Sequence, residues 1–195
     1  MEQWERFEND CYEYLQKKYA AVSNITFQHD GGSDSTVPDI AVIKNGQNQY
    51  YIEAKMSNAQ SGQFVLLPDE GKRIFTFSPK NKSQPNFLTD IIIDHMNNNF
   101  DKFNNAGTTG ENIDIDNSIF SQWIVDYYTR KNVSYFMTKG RNYIIFPIQE
   151  FKKYFDVTAK YRIKKSGSSE PAKKDVPRIL SVLKDNYGIK QSSVE

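Results

Sequence analysis

Residues 38 to 55, PDIAVIKNGQNQYYIEAK, restrict the folds open to this chain more than any other stretch. Ile40 to Ile43 is apolar, Lys44 to Asn48 is a turn-forming cluster around Gly46, and Gln49 to Ala54 resumes a strand-like run through Tyr50, Tyr51 and Ile52. An antiparallel hairpin brings Asp39 and Glu53, 14 residues apart, back to neighbouring positions at one end of a sheet. Glu53 and Lys55 are two apart, so the period of a strand projects both onto one face, while the small Ala54 points into packing. Two carboxylates and an amine then converge on one point. Hard carboxylate oxygens suit Mg²⁺, which keeps several waters and takes one or two protein carboxylates together with phosphate oxygens. An ammonium beside the ion holds or polarises an attacking water.

At the N-terminus, Trp4, Phe7, Cys11, Leu15 and Tyr19 recur every three or four residues and predict an amphipathic helix from about Glu2 to Tyr19. Glu8 lies beside that apolar stripe.

The pair Pro38-Asp39 followed by Glu53-Ala54-Lys55 resembles the signature of the PD-(D/E)xK nuclease superfamily, and Phe7-Glu8 is similar to the helical glutamate that often precedes it. The resemblance implies that Asp39 and Glu53 hold Mg²⁺, with Mn²⁺ able to substitute. The Ala54 backbone carbonyl completes the coordination, and Lys55 positions or deprotonates the nucleophilic water. Glu8 assists a second ion or the water on it. Cleavage leaves 5′-phosphate and 3′-hydroxyl ends. The stretch after the lysine, MSNAQSGQFVLL, is similar to the region of type II restriction endonucleases whose polar side chains meet the substrate backbone, which makes Gln60, Ser61 and Gln63 candidate DNA contacts. Ser57 and Ser61 are equally able to cap a helix.

Charge is distributed unevenly. Net charge is +1, yet residues 152 to 174 hold eight Lys or Arg against two acids, a local +6 that leaves −5 for the remainder. A basic segment supplies the phosphate contacts that dominate nucleic-acid affinity. Within it, Lys160 to Ser169 alternates apolar and basic residues before a Gly/Ser turn, so a strand is expected to end in a donor-rich loop. Arg162, Lys164 and Lys165 are candidates for phosphate or guanine contacts, and Ser166, Ser168 and Ser169 for either backbone or bases. A mobile surface loop is the alternative.

The remaining titratable residues carry less. The lone cysteine, Cys11, falls on the helix stripe as a small buried hydrophobe. His29 and His95 read as ordinary surface or core histidines. Asp34, in a Gly/Ser loop, is a competing acid ranked below Asp39. Gly31-Gly32 lacks the lysine and spacing of a phosphate-cradling loop.

Further along, Asp90 to Phe103 is expected to be helical, with Ile91, Ile92, Met96 and Phe100 as its contacts. The Asn-, Gly- and Thr-rich stretch Asn104 to Asn117 reads as a mobile connection near DNA. Ser118 is expected to cap a helix running to Arg130 through Phe120, Trp123, Ile124 and Tyr127. Val133 to Met137 and Tyr143 to Phe146 form a second hairpin, Pro147 begins a short helix to about Phe155, and Asp175 caps a last helix from Val176 to Tyr187 that stops at Gly188.

With 13 Phe and 12 Tyr in 195 residues, a packed core needs no staples, and no run approaches the length of a membrane span. Residues 1–195 are read as one α/β domain, a mixed central sheet of about five strands flanked by helices, with a basic DNA-contacting segment at about 152–174. Without a leader-like start, a soluble cytoplasmic protein is expected. The expected function is Mg²⁺-dependent, sequence-specific cleavage of double-stranded DNA by a homodimer, as in type II restriction enzymes, with a separately encoded cognate methyltransferase. A structure-selective nuclease of the junction-resolving or repair type, and a non-catalytic DNA-binding module of the same fold, are the alternatives.

Overall fold

The computed structural model describes residues 2–32, 36–163 and 176–187. Helix α1 (Gln3–Lys18) starts in a capping box, with the Glu2 backbone N–H donating to Glu5 at 2.7 Å, and ends on Lys17 and Lys18, whose charges face the negative end of the helix dipole. Its stripe is narrower than its spacing predicts. Cys11 and Leu15 are buried and Phe7 half-buried, but Trp4 and Tyr19 at the two ends are each 38% exposed.

Strand β1 (Ile25–His29), absent from the expected elements, pairs antiparallel with β2 (Ile40–Lys44). The β2–β3 hairpin closes more tightly than the expected five-residue turn. Asn45 and Gly46 alone form the loop, with φ of 53° and 77°, the left-handed pair that a two-residue hairpin turn requires. Strand β3 (Gln47–Ala54) therefore starts earlier than expected. Its partner on the other side is β7 (Val133–Lys139), in parallel, and β7 turns back antiparallel into β8 (Tyr143–Pro147). The result is a mixed sheet in the order β1-β2-β3-β7-β8, the five-stranded α/β arrangement expected.

The crossover from β3 to β7 holds a small hairpin, β4 (Leu66–Asp69) with β5 (Ile74–Phe77), and three helices. Helix α2 (Phe87–Asn98) begins before the expected Asp90, because Asn86 caps it by accepting from the Thr89 N–H at 2.9 Å. Leu88 therefore takes the buried position, and Ile91, expected inside, is 39% exposed. The helix breaks at Asn99 before α3 (Phe100–Asn104). Helix α4 (Asn117–Thr129) is capped by Asp116, which accepts from the Ser118 N–H at 2.8 Å; Ser118 is inside the helix rather than its cap.

The stretch 104–117 is not the loose connection its composition predicts. Strand β6 (Glu111–Asn112) pairs with β9 (Lys160–Tyr161), the Ile113 N–H donates to Ala159 at 3.0 Å, and the Ile163 N–H to Gly107 at 2.9 Å. Ala106 and Ile113 are buried, and Lys102 reaches Asp114 at 2.8 Å. The strand expected from Lys160 is correspondingly two residues long and lies outside the central sheet. After Pro147 the helix is a single 3₁₀ segment, Ile148–Lys153, shorter than expected. Helix α5 spans Val176–Tyr187 as predicted; Asp175 and Gly188 lie outside the described residues.

The sheet separates two cores. Toward α1 lie Cys11, Leu15, Ile40, Val42, Ile52, Ala54 and Met137; toward the crossover helices a larger aromatic core gathers Phe136, Phe146, Phe151, Trp123, Tyr128 and Phe75. Alternation along β3 sends Ile52 and Ala54 to the first core, leaving Glu53 on the opposite face. Among the described residues no helix is long and apolar enough to cross a membrane.

Candidate active site

The Ile40–Ile52 register of the hairpin sets Asp39 opposite Glu53, one step further on. Here β2 and β3 leave the sheet, and their ends open into a cleft of about 620 Å³ lined by Glu8, Asp39, Glu53, Ala54, Lys55, Gln60, Ser61 and Gln63, with Tyr127 and Tyr128 behind them. The structure thus brings together every sequence-predicted residue of the hairpin, the helical glutamate and the three polar residues that follow Lys55.

Within the cleft, Asp39 is 5% exposed and one of its oxygens, Oδ2, accepts the Ala54 N–H at 2.8 Å. Lys55 Nζ is 2.6 Å from Glu53 Oε1, while Glu53 Oε2 is buried with no hydrogen-bond partner. The backbone N–H of Lys55 donates to Met137 at 2.9 Å, so β7 fixes where the lysine leaves the sheet.

The electrostatics are those of an acidic cluster short of positive charge. Burial, then the neighbouring Glu53 charge, push the Asp39 carboxyl well above its usual range, against the pull of Lys55 and the Ala54 N–H. Glu8 rises to about 7, mainly through burial, with Lys55 opposing and Glu53 adding to the rise. Burial would lower Lys55, but the charges of Glu53 and Asp39 outweigh it and hold the ammonium above its ordinary value. A group that stabilises two adjacent carboxylates in their charged form is what this cluster lacks, and a divalent cation is such a group. No set of three or more His, Cys, Asp or Glu side chains converges among the described residues. The donors are therefore two carboxylates with free oxygens plus main-chain carbonyls, a hard oxygen set that fits Mg²⁺ and leaves room for water and phosphate.

Two further side chains bear on this site, His29 through Glu8 and Tyr128 in the cleft lining. His29, read as an ordinary histidine, ends β1 with its ring stacked on Tyr12 at 5.9 Å and its Nε2 buried, unpartnered and 3.7 Å from Glu8 Oε2. The signal was available: Ile25, Phe27 and His29 share one face of the strand, and a polar residue in that series is out of place in a plain core. Tyr128, adjacent to the predicted helix stripe, is 3% exposed and donates to the Ser61 carbonyl at 2.8 Å. Gly31, considered above only as part of a phosphate loop, is needed for close approach. A Cβ there would lie 2.8 Å from Glu8 Oε2 and 3.1 Å from both the Asp39 Cα and His29 Nε2.

Among the described residues, none of the basic segment lines the cleft. Arg162 is exposed beside Gly110 at the end of β9 and does not line it. Lys164, Lys165, Ser166, Ser168 and Ser169 lie outside the described residues, as does Asp34. No helix follows Ser57 or Ser61, so neither acts as a cap. Cys11 is fully buried, and that burial pushes its thiol up to about 12, as a packing residue should be.

Comparison with protein-family models and with curated protein sequences finds no match. Among solved structures, one of HhaI endonuclease in complex with DNA is similar to this chain, with a TM-score of 0.79 and 41% sequence identity over 97% of this chain and 70% of that one. The five-stranded mixed sheet with its flanking helices is thus a restriction-endonuclease fold. Identity at that level across so much of both chains places this chain in the family of the HhaI endonuclease.

Proposed function

We propose that this chain is a Mg²⁺-dependent, sequence-specific endonuclease of double-stranded DNA, of the type II restriction class, which hydrolyses phosphodiester bonds to leave 5′-phosphate and 3′-hydroxyl ends. One observation carries the reading: Lys55 meets Glu53 Oε1 beside Asp39 at a cleft while Glu53 Oε2 is left without a partner, so a charge-deficient donor set and a water-positioning ammonium share one point. The likeness to an endonuclease bound to DNA supports the choice of substrate.

In this reading Asp39, Glu53 and the Ala54 carbonyl hold the ion. When bound, Mg²⁺ acidifies water and offsets the charge that builds on the phosphoryl oxygens. The Asp39–Ala54 hydrogen bond keeps one carboxylate oxygen turned to the hairpin and frees the other for binding. Lys55, an ammonium held by Glu53 at 2.6 Å, orients the attacking water by donating to it. Glu8 faces the same space from α1 and serves a second ion or its water. Gln60, Ser61 and Gln63 contact the DNA backbone or bases, and the Gln60 amide already donates to Gln63 at 2.9 Å, which holds the two side chains together. Mn²⁺ substitutes for Mg²⁺ through the same oxygen donors. Arg162 and the basic residues after it add phosphate contacts. Cutting both strands of a palindromic site is assigned to a homodimer with one centre per protomer, in the cytoplasm, beside a separately encoded methyltransferase. Sedimentation of the DNA complex tests the dimer, since one protomer per duplex would overturn it.

A non-catalytic binding module has no use for a buried amine 2.6 Å from a carboxylate whose other oxygen is buried without a partner. The test is a Mg²⁺-dependent digest of phage DNA by wild type and Lys55→Ala, with sequencing of the fragment ends. Discrete ends with 5′-phosphates are expected from wild type, and loss of cutting with retained duplex binding from the variant. Unchanged cutting by Lys55→Ala removes the lysine from the mechanism, and cutting confined to junction substrates would replace sequence recognition by shape recognition.

A further inference from the structure

Helix α4 reaches the cleft with one fully packed side chain, Tyr128, which touches both halves of the site. Its ring lies 5.8 Å from Lys55 Nζ and meets Phe136 edge-on at 5.0 Å. Its hydroxyl donates to the Ser61 carbonyl at 2.8 Å and faces the Glu53 carboxylate. A phenol has one proton to donate. With that proton on Ser61, Glu53 Oε2 is left buried without a donor.

Ser61 sits in the stretch 57–65, which has no helix or strand of its own and carries Gln60 and Gln63. The same helix holds this stretch at a second point, because Gly62 packs so closely on Trp123 that a Cβ would be 2.6 Å from the indole ring. Two contacts from α4 thus set the height of the segment above the carboxylates.

We propose that Tyr128 is a positioning residue that couples cation binding at Glu53 to the seating of residues 57–63 on DNA. The inference rests on the nuclease reading of the cleft. Its sign follows from electrostatics. Without a cation the Glu53 carboxylate, which Lys55 meets at Oε1 alone, pulls on the phenolic proton in competition with the Ser61 carbonyl. A cation on Glu53 removes that pull, so the proton stays on Ser61 and the segment stays where Gln60 and Gln63 meet the duplex. By linkage, DNA tightens the cation by the same factor. A residue that only filled space would leave this factor untouched.

The experiment measures affinity by fluorescence anisotropy for a duplex carrying the site recovered from wild-type fragment ends, with a non-hydrolysable phosphonate at the cut bond, in Mg²⁺ and in EDTA. Wild type should bind at least about 10-fold tighter in Mg²⁺, and Tyr128→Phe, which keeps the ring, should reduce that ratio to less than about 2-fold. A wild-type ratio in Tyr128→Phe overturns the proposal. Should that variant fail to fold, Gly62→Ala lifts the segment off Trp123 with the hydroxyl intact, and an unchanged ratio there overturns it equally. Wild type that cuts DNA but binds it equally well with and without Mg²⁺ sinks this inference alone; wild type that neither cuts nor binds DNA sinks the nuclease reading and the coupling with it.

Discussion

Replacing Asp39 by Asn should abolish cutting and yet stabilise the metal-free protein. The carboxylate is 5% exposed, lies beside Glu53 and within reach of Glu8, and has Lys55 as its main compensating charge. Asparagine keeps the shape and the acceptor for the Ala54 N–H, now 2.8 Å from Asp39 Oδ2, and puts a neutral N–H₂ in place of an oxygen that the Glu53 charge disfavours. What is lost is a buried negative charge with too little to balance it. Relief of such functional strain is worth about 1–2 kcal/mol, which for a chain of this size raises Tm by roughly 2–8 °C. The pH dependence identifies the cause. Because the folded-state pKa of Asp39 is raised above its ordinary 3.8, the folded protein retains a proton that the unfolded chain releases. Wild-type stability from this group is complete below 3.8 and is lost as pH climbs through the raised value, whereas asparagine does not titrate. The two proteins should therefore melt alike in strong acid and diverge toward alkaline pH. Adding Mg²⁺ should reverse the order, since an ion at about a hundred times its dissociation constant stabilises wild type by about 2.7 kcal/mol and has lost its site in the variant. Differential scanning calorimetry in EDTA and in Mg²⁺ across pH measures all of this. An Asp39→Asn protein less stable than wild type at alkaline pH in EDTA, or a difference independent of pH, would refute the reasoning.

Three other perturbations follow from the same geometry. Glu8→Gln should flatten the metal-free stability profile between about 4.5 and about 7, the window in which the raised Glu8 makes wild type lose stability as pH increases, and chemical denaturation at several pH values reads it. A profile that keeps its slope would show that another group titrates there. Gly31→Ala should weaken Mg²⁺ binding about 10- to 100-fold by pushing Glu8, His29 and the Asp39 backbone apart, measured by calorimetric titration against an unchanged circular-dichroism spectrum. Phe136→Ala should cost about 3–5 kcal/mol, because that ring is fully buried and packs against Tyr128, Phe146 and Phe151; a loss below about 1 kcal/mol in urea melts would mean the aromatic core is looser than described.

The legible parts of the chain were those whose geometry is local. Asp39, Glu53 and Lys55 could be placed on one site because a hairpin with a period of two leaves little freedom, although the length of its turn was misjudged: Asn45-Gly46 closes it alone once both residues take positive φ. Helix α5 matched its predicted span, whereas α2 and α4 began elsewhere because side chains just upstream, Asn86 and Asp116, outcompete the expected starts. The stretch 104–117 misled for a different reason. Its composition is that of a loose loop, and its order comes from partners about 50 residues downstream, Ala159 to Ile163, that no local pattern reveals.

Sequence alone determined the hairpin of Asp39, Glu53 and Lys55, the packed α/β character and the helix carrying Glu8, since alternation and helical spacing are properties of neighbouring residues. Only the tertiary structure decided that β3 pairs in parallel with β7, that α1 delivers Glu8 to the cleft with His29 of β1 3.7 Å from it, and that Tyr128 reaches across 67 residues to hold Ser61. The physical reason is chain closure. Strands and helices choose their own residues, but which elements meet is settled by how two cores can be buried at once, one on each face of a single sheet.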